Sequence, residues 1–238
     1  MSREDQAAAV SAGQRAGVWI AIPAYNEEAV IGGVVREIAL RWPNVVVVDD
    51  GSADGTGRAA AEAGAIVLTH PVNRGQGAAL QTGITYGLRR GAAVVVTFDA
   101  DGQHDPDDIA TLVAPILAGE AEITLGSRFL GGGERIPPGR KLLLKAAVVF
   151  TRVTSGMALT DTHNGLRAFS RRAAERIDLR LDRMAHASEI IDQIGRTGLT
   201  CLEIPVRIRY TEYSMAKGQR SANALNVAAD YLVDKLLR

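Results

Sequence analysis

Two carboxylates two residues apart, Asp99 and Asp101, stand directly after an apolar run at residues 92–98. Such a run reads as a buried strand, which delivers the pair at its C-terminal end, where parallel α/β sheets bind ligands. Residues i and i+2 share a side of extended chain, so both carboxylates can face one cation. Mg²⁺ or Mn²⁺ suits the pair, because hard divalent ions prefer oxygen ligands and bind through one or two carboxylates plus substrate phosphates. Gln103, in Gly102-Gln103-His104-Asp105-Pro106, offers a neutral third ligand. An isolated Asp-x-Asp carries little weight, and its place after a strand is what makes it informative.

Two earlier strand ends repeat the arrangement. Residues 18–22 are apolar and lead into Pro23-Ala24-Tyr25-Asn26-Glu27-Glu28; residues 45–48 lead into Asp49-Asp50-Gly51-Ser52-Ala53-Asp54-Gly55-Thr56. Taken singly, Asn26 would cap a helix with acidic residues in its first turn, and Asp54-Gly55 would be a turn. Three in series put polar groups at one edge of one sheet.

The elements that must hold these residues follow from periodicity and punctuation. A helix is predicted from about residue 27 to 41, stopped near Trp42-Pro43, then a strand at 45–49 and a short helix at 57–63. A strand at 66–69 precedes the Gly75-Gln76-Gly77 turn and a helix running to about residue 90. The strand at 93–98 is followed by a helix opening at Pro106, with Asp105 as its cap, and by a strand at 122–126. Repeated βα units predict a mostly parallel sheet with helices on both faces. Beyond it, residues 131–139 are rich in Gly and Pro and read as an active-site loop. A helix at 140–154, a strand at 165–169, a helix at 186–197 and a strand at 202–210 are expected next. Residues 220–238 show an amphipathic pattern with Leu225, Leu232, Leu236 and Leu237 on one side. The expected organisation is a flexible leader at 1–17, one catalytic domain at 18–218 and a C-terminal amphipathic helix at 219–238.

Composition narrows the class. A chain of 238 residues fits one large domain with an ample core. The single cysteine, Cys201, lies in an apolar stretch, which points to a reducing cytoplasm and to a core position rather than a nucleophile. Residues 1–17 lack the apolar core of a signal peptide. No run reaches the roughly 18 apolar residues of a membrane span, and the longest candidate, 142–150, carries Lys145. The expectation is a cytoplasmic protein, soluble or peripheral at a membrane. Net charge is zero, yet residues 1–127 hold 8 basic against 16 acidic residues, and residues 128–238 hold 19 against 11. An acidic, metal-binding half joined to a basic, phosphate-handling half accounts for that asymmetry. No basic stripe interleaved with aromatics points to nucleic acid. Gly75-Gln76-Gly77 lacks the third glycine of a dinucleotide fingerprint and follows the third strand instead of the first. A Walker A sequence is absent, as is a Gly-rich first loop able to grip a triphosphate.

In order along the chain, Pro23-Ala24-Tyr25-Asn26-Glu27, Asp49-Asp50-Gly51-Ser52 with Asp54-Gly55-Thr56, Asn73–Ala79, Asp99-Ala100-Asp101-Gly102-Gln103-His104 and Gly126-Ser127-Arg128 resemble the motifs of family 2 glycosyltransferases. Asp161-Thr162-His163-Asn164-Gly165-Leu166-Arg167 and Ala187-Ser188-Glu189-Ile190 are similar to the branch that makes dolichyl- or polyprenyl-phosphate sugars. The resemblance implies a GT-A fold and a nucleoside diphosphate sugar donor, GDP-mannose or a UDP-hexose. It implies a polyprenyl phosphate acceptor and inversion at the anomeric carbon. Asp101 and Gln103 would be the most direct ligands of Mg²⁺ or Mn²⁺, with Asp99 beside them. Pro23, Tyr25, Glu27 and Asp50 would form the nucleoside pocket, while Asp99, Ala100 and Asp101 meet the donor. Arg128, Arg140 and Lys217 would bind phosphate. Thr211 stands where the branch has an arginine six residues before Lys217, and Arg209 is the nearest substitute. Glu189 and Asp161 are the candidates if a base is needed, with His104 and His163 as hydrogen-bonding braces.

A saccharide or small soluble acceptor, or a catalytically silent nucleotide-sugar-binding module, are the alternatives. Retention of Asp99, Asp101, Gln103 and Arg128 speaks against the silent module. The amphipathic 220–238 segment could lie on a membrane, pack on the core or a twin subunit, or meet a membrane partner protein.

Overall fold

The computed structural model describes residues 10–130, 157–162, 164–180 and 186–209. Strand β1 (Val18–Ala24) is buried at all seven positions. Its alternation sends Val18, Ile20 and Ile22 into one core, with Val45, Val47, Ile109 and Leu112. Trp19 and Ala21 enter a second core on the opposite face, with Val46, Ile84, Val95 and Ile190. Both faces are covered, which is why the strand reads as an unbroken apolar run.

Strands β2 (Val45–Asp49), β3 (Ile66–Thr69) and β4 (Val94–Thr97) run parallel with β1. Helices α2 (Glu28–Ala39), α3 (Thr56–Glu62) and α4 (Gln76–Arg89) connect them. After β3 the chain crosses back and lays β4 on the other side of β1, in the order β3-β2-β1-β4, followed by β6 (Arg167–Ser170), β5 (Ile123–Ser127) and β7 (Cys201–Pro205). The switch point therefore lies between the ends of β1 and β4, the crevice where open α/β sheets take their ligands.

The mostly parallel sheet expected from the βα pattern is present, with one reversal. Strand β6 (Arg167–Ser170) runs antiparallel between β4 and β5 (Ile123–Ser127), and β7 (Cys201–Pro205) is parallel to β5. Four residues cannot announce their own direction; partners such as Val95 and Ile123, both opposite Phe169, set it. The reversal brings the start of β6 to the same edge as the ends of β4 and β5.

Some boundaries differ from the periodicity. Helix α1 (Ala12–Ala16) occupies part of the expected leader, closed by a capping box between Ser11 and Gln14, and Val10 before it is buried. Helix α5 (Asp108–Leu117) starts two residues after Pro106, because the Asp105 carboxylate accepts the Asp107 N–H (3.1 Å) in a preceding turn. The expected strand at 202–210 leaves the sheet at Pro205, and Ile208 pairs with His104 instead. Helices α6 (Arg171–Ala174) and α7 (His186–Thr197) complete the described elements. The expected loop at 131–139 and helices at 140–154 and 220–238 lie outside the described residues. No helix among the described residues is long and apolar enough to cross a membrane.

Candidate active site

The loop after β1 is stitched to the loop after β2. Asn26 takes a left-handed conformation (φ 54°) and donates its N–H to Ser52 Oγ (3.0 Å), while its Oδ1 accepts from the Ala53 N–H (2.9 Å). The Glu27 N–H reaches Thr56 Oγ1 (2.8 Å). Asn26 is therefore a lock between two loops, and α2 begins at Glu28 without a side-chain cap. Pro23 is buried in β1, and Tyr25 stands 45% exposed at the edge.

The paired aspartates after β2 divide their work. Asp49 Oδ1 accepts from the Ser52 N–H (3.0 Å) and shapes its own turn. Asp50, only 3% exposed, accepts from the Arg74 and Gly75 N–H groups (2.9 and 2.7 Å) and lies 2.7 Å from His70 Nδ1. It thus anchors the loop that enters α4. Gly51 completes the fit: at φ 73°, a Cβ there would come within 2.7 Å of the Val72 and Asn73 backbone.

Asp99 is gripped from several sides. His104 Nε2 lies 2.9 Å from Oδ2, and Gln76 Nε2 donates to Oδ1 (3.3 Å). Gly165 presses on the same carboxylate so closely that a Cβ would lie 2.1 Å from Oδ2. His104 is itself buried and stacks edge-on against Phe98. Asp101 accepts from the Gln103 N–H (3.0 Å). Burial raises the Asp101 carboxyl above its ordinary range, and Asp99 and Glu27 push the same way against the Gln103 N–H and His104. Glu27, Asp99 and Asp101 thus crowd one place with negative charge, and Ala100 between the aspartates is buried.

Across the edge, Arg128 leaves the end of β5. Its Nε–H and backbone N–H both donate to Asp161 Oδ2 (2.6 and 3.2 Å), and the side chains of the pair are largely buried. Glu203 on β7 accepts from the N–H groups of Thr160 (2.9 Å) and Asp161 (3.1 Å), fixing the carboxylate that fixes Arg128. Between the two groups, Arg167 is 3% exposed at the start of β6. Burial lowers its pKa to about 10, with Asp99 and Asp161 opposing that shift, so it remains a cation at neutral pH.

The structure brings Glu27, Asp99, Ala100, Asp101 and Gln103 to the edge named by the sequence. Arg209 also lies there: its N–H donates to the Gln103 carbonyl (2.7 Å), and its guanidinium pairs with Asp105 (3.0 Å) and Glu37 (3.3 Å). Glu189 is 5% exposed in the first turn of α7 and accepts the Arg180 N–H with both oxygens (3.2 and 3.1 Å). That arrangement braces the chain before α7. Arg140, His163 and Lys217 lie outside the described residues. Sequence reasoning missed Gln76, Arg167 and Glu203. An arginine in a predicted buried strand was the available signal for Arg167, and a lone acid in the 202–210 run was the signal for Glu203.

Among the described residues no three His, Cys, Asp or Glu gather so that they alone could hold a metal ion. Asp99 and Asp101 offer carboxylate oxygens and Gln103 an amide oxygen, the donor chemistry of a hard divalent ion shared with phosphate. The crowding that raises Asp101 would be relieved by a cation, so the residues present fit one.

Comparison with known proteins finds relatives that match most of this chain. The chain is 35% identical to the UDP-N-acetylglucosamine–dolichyl-phosphate N-acetylglucosaminyltransferase of Methanococcus voltae, over 84% of this chain and 89% of that one. It is 35% identical to the polyprenol monophosphomannose synthase of Mycolicibacterium smegmatis, over 83% and 79% of the two chains. Its fold matches that of Mycobacterium tuberculosis glucosyl-3-phosphoglycerate synthase, crystallised with Mn²⁺, UDP-glucose and phosphoglyceric acid. There the TM-score is 0.69 at 19% identity, over 98% of this chain and 82% of that one. The model of glycosyl transferase family 2 matches residues 19–178, which hold β1 to β6 and every carboxylate described above except Glu189 and Glu203. With that match spanning most of the sheet and two thirds of the chain, the chain belongs to glycosyl transferase family 2.

Proposed function

We propose that this glycosyltransferase moves a sugar from a nucleoside diphosphate sugar to the phosphate of a polyprenyl phosphate. The observation that carries the reading is the meeting, at one sheet edge, of the Asp99–Asp101 pair and the Arg128 guanidinium held by Asp161. Two relatives whose names specify dolichyl phosphate or a polyprenol monophosphate sugar support the acceptor.

Asp101, Gln103 and Asp99 would hold Mg²⁺ or Mn²⁺. The ion supplies Lewis-acid neutralisation of the charge that gathers on the departing nucleoside diphosphate. Arg128 adds fixed positive charge at the same leaving group, with Arg140 and Lys217 proposed beside it. Pro23, Tyr25 and Glu27 border the nucleoside pocket, and Asp50 shapes its wall by holding the Arg74–Gly75 backbone. GDP-mannose and UDP-hexoses are the donors proposed.

An acceptor phosphate oxygen attacks the anomeric carbon. The new bond joins that carbon to the acceptor, the bond to the diphosphate oxygen breaks, and its electron pair leaves with the nucleoside diphosphate. Attack opposite the leaving group inverts the anomeric centre. A phosphate is already ionised at neutral pH, so no carboxylate base is needed, and Asp161 is free to orient Arg128. Access to a lipid acceptor is proposed through peripheral contact of the 220–238 segment or through a membrane partner protein. A homo-oligomer built on that segment is the other use proposed for it.

The test pairs radiolabelled GDP-mannose, UDP-glucose and UDP-N-acetylglucosamine in turn with liposomes containing polyprenyl phosphate. Label entering the lipid with one donor supports the proposal. Label entering only a soluble acceptor overturns it.

A further inference from the structure

Burying an arginine is costly unless its charge is matched, and a buried cation on a four-residue strand calls for a reason. Arg167 sits opposite Thr97 on β4 and Leu125 on β5. Asp99 follows Thr97 by two residues, and Arg128 follows Leu125 by three. Segment 165–167 is therefore threaded between the two strand ends that carry the site. Its Gly165 carbonyl accepts Thr97 Oγ1 (2.7 Å), and its Gly165 Cα abuts the Asp99 carboxylate. Asp99 and Asp161 both act electrostatically on the buried Arg167, and Asp161 in turn holds Arg128.

We propose that Arg167 is a positioning residue, a buried cation that balances Asp99 and Asp161 together and so fixes how each meets its own partner. This rests on the reading of the edge as a cation and diphosphate site. Balanced by Arg167, Asp99 stays turned toward His104 and Gln76, and Asp101 is left as the carboxylate with most negative charge to offer. Asp161, sharing its charge with Arg167, orients Arg128 without fully neutralising it. An apolar side chain of similar size would fill the slot yet leave two carboxylates without their common counter-ion.

The role has a signature that loss of packing does not produce, because the two ligands should respond in opposite directions. In Arg167→Met, Mn²⁺ affinity, read from the electron paramagnetic resonance signal of free Mn²⁺, should rise about tenfold, since a positive charge beside the carboxylates is gone. Affinity for GDP or UDP, read by calorimetry without metal, should fall about tenfold as Asp161 claims more of Arg128. Arg167→Lys should keep both within about twofold. Weakening of both ligands in Arg167→Met, no change in either, or a lysine variant that behaves like methionine would overturn the proposal. Should Arg167→Met fail to fold, the double variant Arg167→Met with Asp161→Asn removes one cation and one anion together. It should fold, bind Mn²⁺ near the wild-type affinity and recover diphosphate affinity, since no Asp161 charge is left to claim Arg128; Mn²⁺ binding lost, or diphosphate binding still weak, in a folded double variant counts against the role. A wild-type chain that takes no Mn²⁺ would remove the metal reading, and the diphosphate arm would still decide Arg167.

Discussion

On the β1–β2–β4 side of the candidate site, carboxylates are held by backbone N–H groups and by the side chains of His70, His104 and Gln76. Asp49 is held by Ser52, Asp101 by Gln103, Asp99 by His104 and Gln76, and Asp50 by the Arg74–Gly75 backbone and His70. On the β5–β6–β7 side, charge is held by opposite charge from another strand or loop: Arg128 by Asp161, 33 residues away, and Arg167 between Asp99 and Asp161. Glu203, on β7, holds the backbone at Asp161 from 42 residues away. The first side keeps surplus negative charge for a ligand to neutralise. The second sets the direction of the Arg128 guanidinium through a relay of braces. Damage to the first side should remove chemistry, and damage to the second should misdirect it.

The largest effect is expected from Asp101→Asn. Turnover should fall on the order of 10³-fold, the several kcal/mol that a lost metal contact represents. Stability should move the other way. The folded-state pKa of Asp101 is raised, so ionisation costs stability at neutral pH and that cost disappears as pH falls through the raised value. Asparagine removes it, and the melting temperature of the metal-free protein at pH 7 should rise. A variant that is inactive and less stable than wild type would mean that Asp101 supports the fold, contrary to the first half of the comparison.

Arg128→Ala comes next, with turnover reduced on the order of 10²-fold by loss of one charged donor at the leaving group. Circular dichroism should show an intact fold, although Asp161 loses the Arg128 Nε–H donor. Wild-type turnover would assign the Arg128–Asp161 pair to structure alone.

Glu203→Gln should have the smallest effect. The amide still offers one oxygen to the Thr160 and Asp161 N–H groups but loses its charge, so about 1 kcal/mol of stability should go. Steady-state kinetics should show turnover reduced several-fold with Arg128 less well aimed. A loss as large as that of Arg128→Ala would show that the brace, and not the guanidinium, carries the catalytic contribution on this side.

The same contrast explains what the sequence disclosed. The acidic side is written in contiguous runs, because a parallel strand places its next few residues at the ligand edge without help from elsewhere; Asp99, Asp101 and Gln103 could be read directly. Asn26 was legible as a polar loop residue but not as a lock, since its partners are Ser52 and Ala53. On the other side, β6 runs backwards only because β4 and β5 flank it, and Glu203 matters only because β7 lies beside the Thr160–Asp161 turn. Long-range register leaves little local trace beyond a charge in an apolar stretch. Cys201 was read as inert from such a stretch, and burial, with Glu203 nearby, pushes its thiol up to about 12.

The most direct test of the account is transfer of labelled sugar to polyprenyl phosphate in liposomes, with Mn²⁺ and then with excess EDTA, for wild type and Asp101→Asn. The account predicts lipid-linked label for wild type with Mn²⁺, loss of that label with EDTA, and no label for the variant under either condition. Undiminished transfer in EDTA, or transfer by Asp101→Asn at the wild-type rate, would contradict it.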